Sequence, residues 1–348
     1  MTGIFVKSIK LRSPLRIKRL PILARFHRAA SKQRTSRKAQ LFLKAPLEKM
    51  FQCYYRLAPT ATGELEFETP QGPRPITFNA RNLAFDIFYA DLFAENYEDE
   101  TAVLLDTFLS QSGCLYDIGS NWGFFTLYAA SRGGNVRIHA FEPVPSTYAD
   151  LVGCVEQAGL RNQVQCHNFA VSDSCGHAVF QLPFHSASAQ VGNSGASIGR
   201  EVKVETRTID SMGLDLPTFM KIDAEGHEAA VLTGSLATLR TAKPFIMFEN
   251  KLYRDSPDQT LKPLRFLIQL GYHLFVPTVQ RTCNGAIYFL NCGYQIDTGR
   301  MQKIEREDTM ALIPCDPAMR FLLPSYLNIF ACHCDKMEDL RRKFQALP

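Results

Sequence analysis

The sequence predicts an α/β fold built on a parallel, doubly wound sheet covered by helices on both faces. Strand and helix candidates alternate from residue 82 onward, as such a sheet requires. One stretch, "CLYDIGSNWGFFTLYAA" (residues 114–130), passes within itself from a buried strand through a glycine-bearing turn into an amphipathic helix. At 348 residues and 46% hydrophobic composition the chain can bury a sizeable core, and it reads as one large domain with appendages.

Residues 1–50 form a basic arm. They hold 14 Lys and Arg against one acid, Glu48, so the arm carries +13 and the remainder −8. Apolar and basic clusters alternate there, which fits either an amphipathic helix lying on an anionic membrane surface or a solvated extension. The longest apolar run near the start, "LPILA", ends at Arg25, and nothing approaches the roughly 18 apolar residues of a membrane span. The expected location is therefore cytoplasmic, with peripheral membrane contact through the arm. Ten scattered cysteines, several inside apparent core elements, suit reduced thiols. Cys332 and Cys334 flank His333 without a second pair at zinc-site spacing.

Residues 51–81 carry the alternating "GELEFET" and the turn-rich "PQGPRP", which predict a β hairpin or flap. The main domain is expected over 82–295. It opens on a helix in "NYEDETAVLLDTFLS", with Val103, Leu104, Phe108 and Leu109 on one stripe. Strands are expected at 114–119, 136–142, 164–171, 219–223, 245–250, 272–277 and 286–291, and helices at about 122–132, 146–158, 226–240 and 258–270. The Ser-, Gly- and Ala-rich stretch 183–200 breaks the alternation as a loop, either a lid or a tolerated insertion. Residues 296–348 are expected to pack on the domain as a C-terminal extension.

In doubly wound sheets ligands bind beyond the carboxyl ends of the strands, and the first strand-to-helix turn comes closest. Here that turn reads D-x-G-x-N-x-G, through Asp117, Gly119, Asn121 and Gly123. Glycine suits backbone that must take positive φ or pass a ligand closely. A nucleotide-phosphate loop has more glycines, or a lysine, and no leading acid. An acid at the head favours a ligand with a positive amine, and S-adenosylmethionine (SAM) is such a ligand. Glu142 ends the second strand in "AFEP", where an acid can accept hydrogen bonds from ribose hydroxyls. Asn168 and Asp173, in "NFAVSD", are weaker candidates for the adenine end, and Asp173 reads equally as a turn former.

Four ordered stretches, "LYDIGSNWGFFTLYAA", "IHAFEPVPSTYADL", "NFAVSD" and "FMKIDAEGHEAAVLTGS", together resemble the FkbM family of SAM-dependent methyltransferases, and the upstream "ENYEDE" is similar to its usual lead-in. The resemblance covers residues 95–250 and extends toward 291. It implies a class I methyltransferase fold, Rossmann-like, with a seven-stranded sheet whose last strand is antiparallel. It also implies O-methylation of a hydroxyl on a sugar or natural product, so the expected acceptor is a glycan, a glycolipid or a small molecule. Ser120 stands where the family usually has Ala, and Trp122 where a smaller apolar residue is common.

An alcohol is a poor nucleophile at neutral pH, so a base or a metal is expected beside it. The fourth strand ends in "KIDAEGHE", which supplies Asp223, Glu225, His227 and Glu228. Asp223 is the foremost catalytic candidate, and the resemblance carries Asp223 and Glu225 over directly. His227 has the intrinsic pKa of a base but reads equally as a surface histidine, and Glu228 reads as a first-turn acid favoured by the helix dipole. Asp223 with Glu249 and Asn250, at the end of the fifth strand, is similar to the metal site of catechol-type O-methyltransferases. Oxygen ligands of that kind suit Mg²⁺, although the FkbM resemblance requires none.

Two rival functions are weaker. The "DAEG" after the fourth strand lacks the paired prolines of DNA amino-methyltransferases, and the arm has too few aromatics for an RNA stacking platform, so nucleic acid is disfavoured. A non-catalytic scaffold built on the same fold is the other alternative, and the intact acids argue against it.

Overall fold

The computed structural model describes residues 3–9, 14–19, 62–69, 72–79, 98–109, 112–182, 190–191, 200–283, 286–290 and 309–346. Most of the basic arm and most of the 183–200 loop lie outside the described residues. No helix among the described residues is long and apolar enough to cross a membrane.

The five parallel strands at the heart of the main sheet are β5 (Ser112–Ile118), β6 (Asn135–Phe141), β7 (Val164–His167), β12 (Phe219–Ile222) and β13 (Phe245–Lys251). Their spatial order is β7-β6-β5-β12-β13, so the chain winds outward from β5 to one edge and then returns to its other side. The switch between those two directions falls between β5 and β12, where a ligand crevice opens in such sheets.

One face is covered by α1 (Asp99–Phe108), α2 (Phe124–Ser131) and α3 (Pro145–Ala158), the other by α4 (Glu228–Thr233), α5 (Leu236–Ala242) and α6 (Pro257–Gln269). Side-chain alternation along β5 divides the core. Leu115 packs with Leu104, Leu127 and Leu151, while Cys114, Tyr116 and Ile118 pack with Val231, Leu264 and Leu267. Asp117 is thereby directed to the α2 face. The single helix expected over 226–240 is two helices. They separate at Gly234, where an added Cβ would lie 1.9 Å from the Ser172 carbonyl oxygen, so the Ser172 backbone crosses too close for a longer side chain.

Beyond β13 the sheet departs from expectation. β17 (Tyr326–His333) runs antiparallel to both β13 and β14 (Tyr272–Cys283) and lies between them. Residues 326–333, placed in the extension on sequence grounds, thus supply the antiparallel strand next to β13. The expected last strand, β15 (Ala286–Leu290), only forms a hairpin with β14. The sheet continues through β16 (Thr309–Pro314), β1 (Phe5–Ser8) and β18 (Gln345–Ala346), giving 11 strands among the described residues in place of the expected seven.

The hairpin predicted over 51–81 is present as β3 (Thr62–Thr69) and β4 (Gly72–Asn79). It docks on α3, where Gln157 accepts from the Thr77 amide at 2.8 Å and donates to its carbonyl at 3.0 Å. Where the arm is described it is strand rather than amphipathic helix. β2 (Leu15–Arg19) pairs with β3, and Arg16 and Lys18 meet Glu68 and Glu66 at 3.0 and 2.9 Å. Apolar and basic residues alternate with period two in "LRIKR", which suits a strand with one face buried. Between β7 and β12, in place of a helix, stands a small sheet of β8 (Ala170–Val171), β9 (Gly176–Leu182), β10 (Gln190–Val191) and β11 (Arg200–Arg207).

Candidate active site

The turn from β5 to α2 is built on three left-handed residues, Gly119 (φ 76°), Asn121 (φ 51°) and Gly123 (φ 95°). Its amides are spent on the neighbouring strand. Those of Gly119 and Ser120 donate to the Phe141 carbonyl at 2.9 and 3.0 Å, and that of Asn121 donates to Glu142 at 3.1 Å. Glu142 also accepts from the Val144 amide at 2.9 Å. The acid of the second strand is therefore fastened to the turn of the first, and both stand at one crevice. Asn168 reinforces this edge, since its side-chain amide donates to the Glu142 and Pro143 carbonyls at 2.9 and 3.1 Å.

Asp117 is 1% exposed. One carboxylate oxygen accepts from Thr126 at 2.7 Å, while the other, and the buried Ser120 hydroxyl, have no hydrogen-bond partner among the described residues. Buried polar atoms without partners are costly, about 1–3 kcal/mol each, and are rarely left so. Two of them on one turn, beside Glu142, fit a polar ligand with positive charge and hydroxyl donors.

Lys221 lies opposite Asp117 in the β5–β12 register, with its Nζ 3.2 Å from Asp223 and 4.9 Å from the centre of the Phe125 ring. Burial opposes its charge, but Asp223, Glu98 and Asp117 outweigh burial and hold the ammonium above the usual lysine range. Asp223 stays partly open, with 28% of its side chain exposed. Its backbone closes the switch point: its amide donates to the Ile118 carbonyl at 2.9 Å, and its carbonyl oxygen faces Gly119.

Around Asp223 stands a group of acids. Glu225 occupies left-handed backbone (φ 50°), and burial and the Asp223 charge push its carboxyl up to about 7. Burial, with Asp223 and Glu225, pushes Glu249 up to about 8. Glu228 accepts from the Ala224 and Gly226 amides at 3.2 and 2.9 Å, which makes it a brace for its own loop. Sequence reasoning missed the contribution of α1: Glu98 bears on both Lys221 and Glu249, and buried Glu100 accepts from Asn328 of β17 at 2.9 Å. The acid run in "ENYEDE" was the available signal.

Two expected residues sit apart from the reacting side. His227 hydrogen-bonds Ser172 at 2.9 Å, and Asp173 meets Ser172 and Ser174, so these two join a loop contact at the start of α4. Asn250, expected to join Asp223 and Glu249 around a metal, spends its side chain on other partners. Its oxygen accepts from the fully buried Arg320 at 2.5 Å and its amide donates to the Thr260 carbonyl at 2.9 Å. Asp223 and Glu249 remain as oxygen donors. At the other end of the sheet, His333, Cys334 and Asp335 lie within metal-ligand reach, but Asp335 is paired with Lys243 and the His333 Nδ1 accepts from the Asp335 amide.

The raised carboxyls make stability depend on pH. Glu142 and Glu225 hold protons up to about 7 and Glu249 and Glu100 up to about 8 in the folded chain, against 4.5 ordinarily. Between those values the native state binds more protons than the unfolded one, so stability is lost as pH rises from about 4.5 to 8. The thermal midpoint of the ligand-free protein should fall steadily across that window, and Glu249→Gln should flatten the slope. A midpoint that rises with pH there would contradict the burial of these acids.

A doubly wound sheet with acids at the ends of its first two strands, a partly open acid at the fourth and a glycine turn at the switch point defines a Rossmann-like methyltransferase. The model of the methyltransferase FkbM domain matches residues 117–295, more than half of the chain, and the chain belongs to that family as a SAM-dependent methyltransferase. Among curated relatives it is similar to the 31-O-demethyl-FK506 methyltransferase FkbM of Streptomyces tacrolimicus, with 25% identity over 199 residues, covering 47% of this chain and 73% of the relative. Among solved structures it is similar to methyltransferase FkbM from Methylobacillus flagellatus KT, at 16% identity and TM-score 0.35, over 58% of this chain and 43% of that one. The chain thus spans less than half the length of that relative. Precorrin-6y C5,15-methyltransferase from Geobacter metallireducens GS-15 matches at 14% identity and TM-score 0.35, over 67% and 85% of the two chains.

Proposed function

We propose that the protein methylates a hydroxyl on a sugar of a glycan, glycolipid or natural product. The observation that carries this reading is the switch point itself: a cationic-ligand pocket at Asp117 meets, across Gly119, a partly open Asp223 backed by acids of raised pKa. The relative named for 31-O-demethyl-FK506 supports an oxygen acceptor.

In this reading Asp117, Ser120, Asn121 and Glu142 hold the cofactor, with Gly119 and Gly123 shaping the turn beneath it. The bound cofactor supplies a methyl group already activated by its sulfonium leaving group. Asp223, fixed by Lys221, accepts a hydrogen bond from the acceptor hydroxyl and aligns its oxygen, and alignment of this kind can supply several kcal/mol of a barrier. Asp223 takes that hydroxyl proton as the methyl group is transferred and passes it to Glu225, whose carboxyl, pushed up to about 7 by burial and the Asp223 charge, is well matched to receiving it at neutral pH. Asp223 and Glu249 would hold a Mg²⁺ ion in a metal-dependent version of the same step.

Incubating the protein with methyl-labelled SAM and separate glycan, lipid and RNA fractions should place the label in a glycan or glycolipid as a base-stable ether. Label confined to RNA would overturn the acceptor class. Loss of transfer with EDTA, restored by Mg²⁺, would assign Asp223 and Glu249 to the ion, and an unchanged rate would assign proton removal to Asp223 and Glu225 without one.

A further inference from the structure

Next to the acid group, on the α4–α6 side, is a cavity of about 260 Å³ lined by two lysines and one acid, Glu228, whose carboxyl is taken up by the Ala224 and Gly226 amides. Lys251 and Lys262 both face it. Neither lysine has an ion-pair partner among the described residues, whereas nearby cations are paired: Lys221 with Asp223, and Arg265 of α6 with Asp258 at 2.9 Å. Lys251 is instead bracketed by aromatic rings, 5.7 Å from the centre of Tyr253 and 5.1 Å from that of Tyr326, which is 54% exposed.

The cavity is joined to the reacting side by backbone. Lys251 ends β13 two residues after Glu249, and Gly226 follows Glu225 directly. Gly226 has φ 97°, and a Cβ there would lie 2.2 Å from the Tyr253 hydroxyl, so glycine lets Tyr253 close over the loop that carries Glu225. Tyr253 is itself fixed through its amide, which donates to the Thr260 hydroxyl at 2.7 Å. A space of this size is small for a whole cofactor and adequate for one anionic group with part of a sugar ring.

We infer that this cavity is an acceptor subsite in which Lys251 and Lys262 bind an anionic substituent, phosphate or carboxylate, on the sugar that presents its hydroxyl to Asp223, while Tyr253 flanks the ring and Tyr326 holds the Lys251 ammonium from outside. The inference rests on the O-methylation reading and narrows its acceptor to anionic sugars. Two ammonium groups against the single carboxyl of Glu228 on the lining sort such an acceptor by charge. The anion is drawn to the lysines and away from the Asp223 carboxylate, which leaves the neutral hydroxyl turned toward the acids.

The test titrates the full-length protein by calorimetry with glucose 6-phosphate, glucuronate and glucose, with and without S-adenosylhomocysteine. Cofactor occupancy is followed through the fluorescence of Trp122, the sole tryptophan, buried beside the cofactor turn. Both anions, or the phosphate alone, should bind at least tenfold more tightly than glucose. Lys251→Ala combined with Lys262→Ala should abolish that ratio without changing S-adenosylhomocysteine affinity. Equal binding of glucose, no binding of any of the three, or a preserved preference in the double variant would overturn the subsite. A wild-type protein that prefers the anions but fails to bind S-adenosylhomocysteine would sink the methyl-transfer reading and leave the subsite standing.

Discussion

Replacing Asp223 with alanine is expected to lower methyl transfer by about 10²–10⁴-fold, the usual worth of a positioned acid or base, while SAM affinity stays within a few-fold of wild type. The separation follows from where the side chain sits. The proposed cofactor side of the crevice is made by Asp117, Ser120 and Glu142, the last two held by backbone bonds to Phe141 and Val144. Asp223 contributes to that frame only through its main chain, which alanine keeps. Its carboxylate is the part left 28% exposed, facing the acceptor side and held by Lys221 at 3.2 Å. Losing it leaves a buried ammonium with one partner fewer, so Asp223→Asn is the necessary companion variant. Asparagine keeps an oxygen for Lys221 and should restore the fold while transfer stays low. Normal turnover in either variant would remove Asp223 from the mechanism, and loss of SAM binding in both would move it to the cofactor side.

Gly119→Ala is expected to abolish measurable SAM binding and to destabilise the protein by about 2–4 kcal/mol, combining overpacking with a left-handed backbone that L-residues resist. A Cβ at Gly119 would lie 1.8 Å from the Asp223 carbonyl oxygen and 2.9 Å from its carbon, at φ 76°. The obstacle is backbone, not a flexible side chain, so relief requires β5 and β12 to part at their ends. That parting breaks the bond from the Asp223 amide to the Ile118 carbonyl and moves Asp117 and Asp223 together. Gly153→Ala is the matched control. It lies within α3 with nothing within 4 Å of an added Cβ, and should be neutral or stabilising by up to about 1 kcal/mol. Denaturant midpoints and cofactor titration of the two variants decide the matter; similar behaviour would mean that Gly119 is an ordinary turn residue.

The turn and strand ends of the proposed cofactor side were legible because their signals are local. A buried strand, an acid, two glycines and a helix follow one another within 17 residues, and Glu142 lies at a fixed distance along the next βα unit. The acceptor side was not. Glu100 depends on Asn328 across 228 residues, and Asn250 on Arg320 across 70. Neither partner announces itself, since Asn328 sits in a strand of unremarkable composition and Arg320 in a short 3-10 turn (Pro317–Leu322). Asn250 shows this most plainly: it has the residue type of a metal ligand at the expected strand end, and a guanidinium from a distant segment takes its oxygen.

By itself the sequence determined the α/β alternation, the turn at Asp117–Gly123, the acids at the ends of the first, second and fourth strands and the hairpin before residue 80. Each of these is written in hydrophobic period and turn chemistry over a few consecutive residues. Only the tertiary structure decided that Tyr326–His333 is the strand beside β13, that the described parts of the basic arm are strands, and that Lys251 and Lys262 face one cavity. Strand pairing and charge pairing join residues far apart in the chain, and their outcome depends on which surfaces the packed core brings within hydrogen-bond reach.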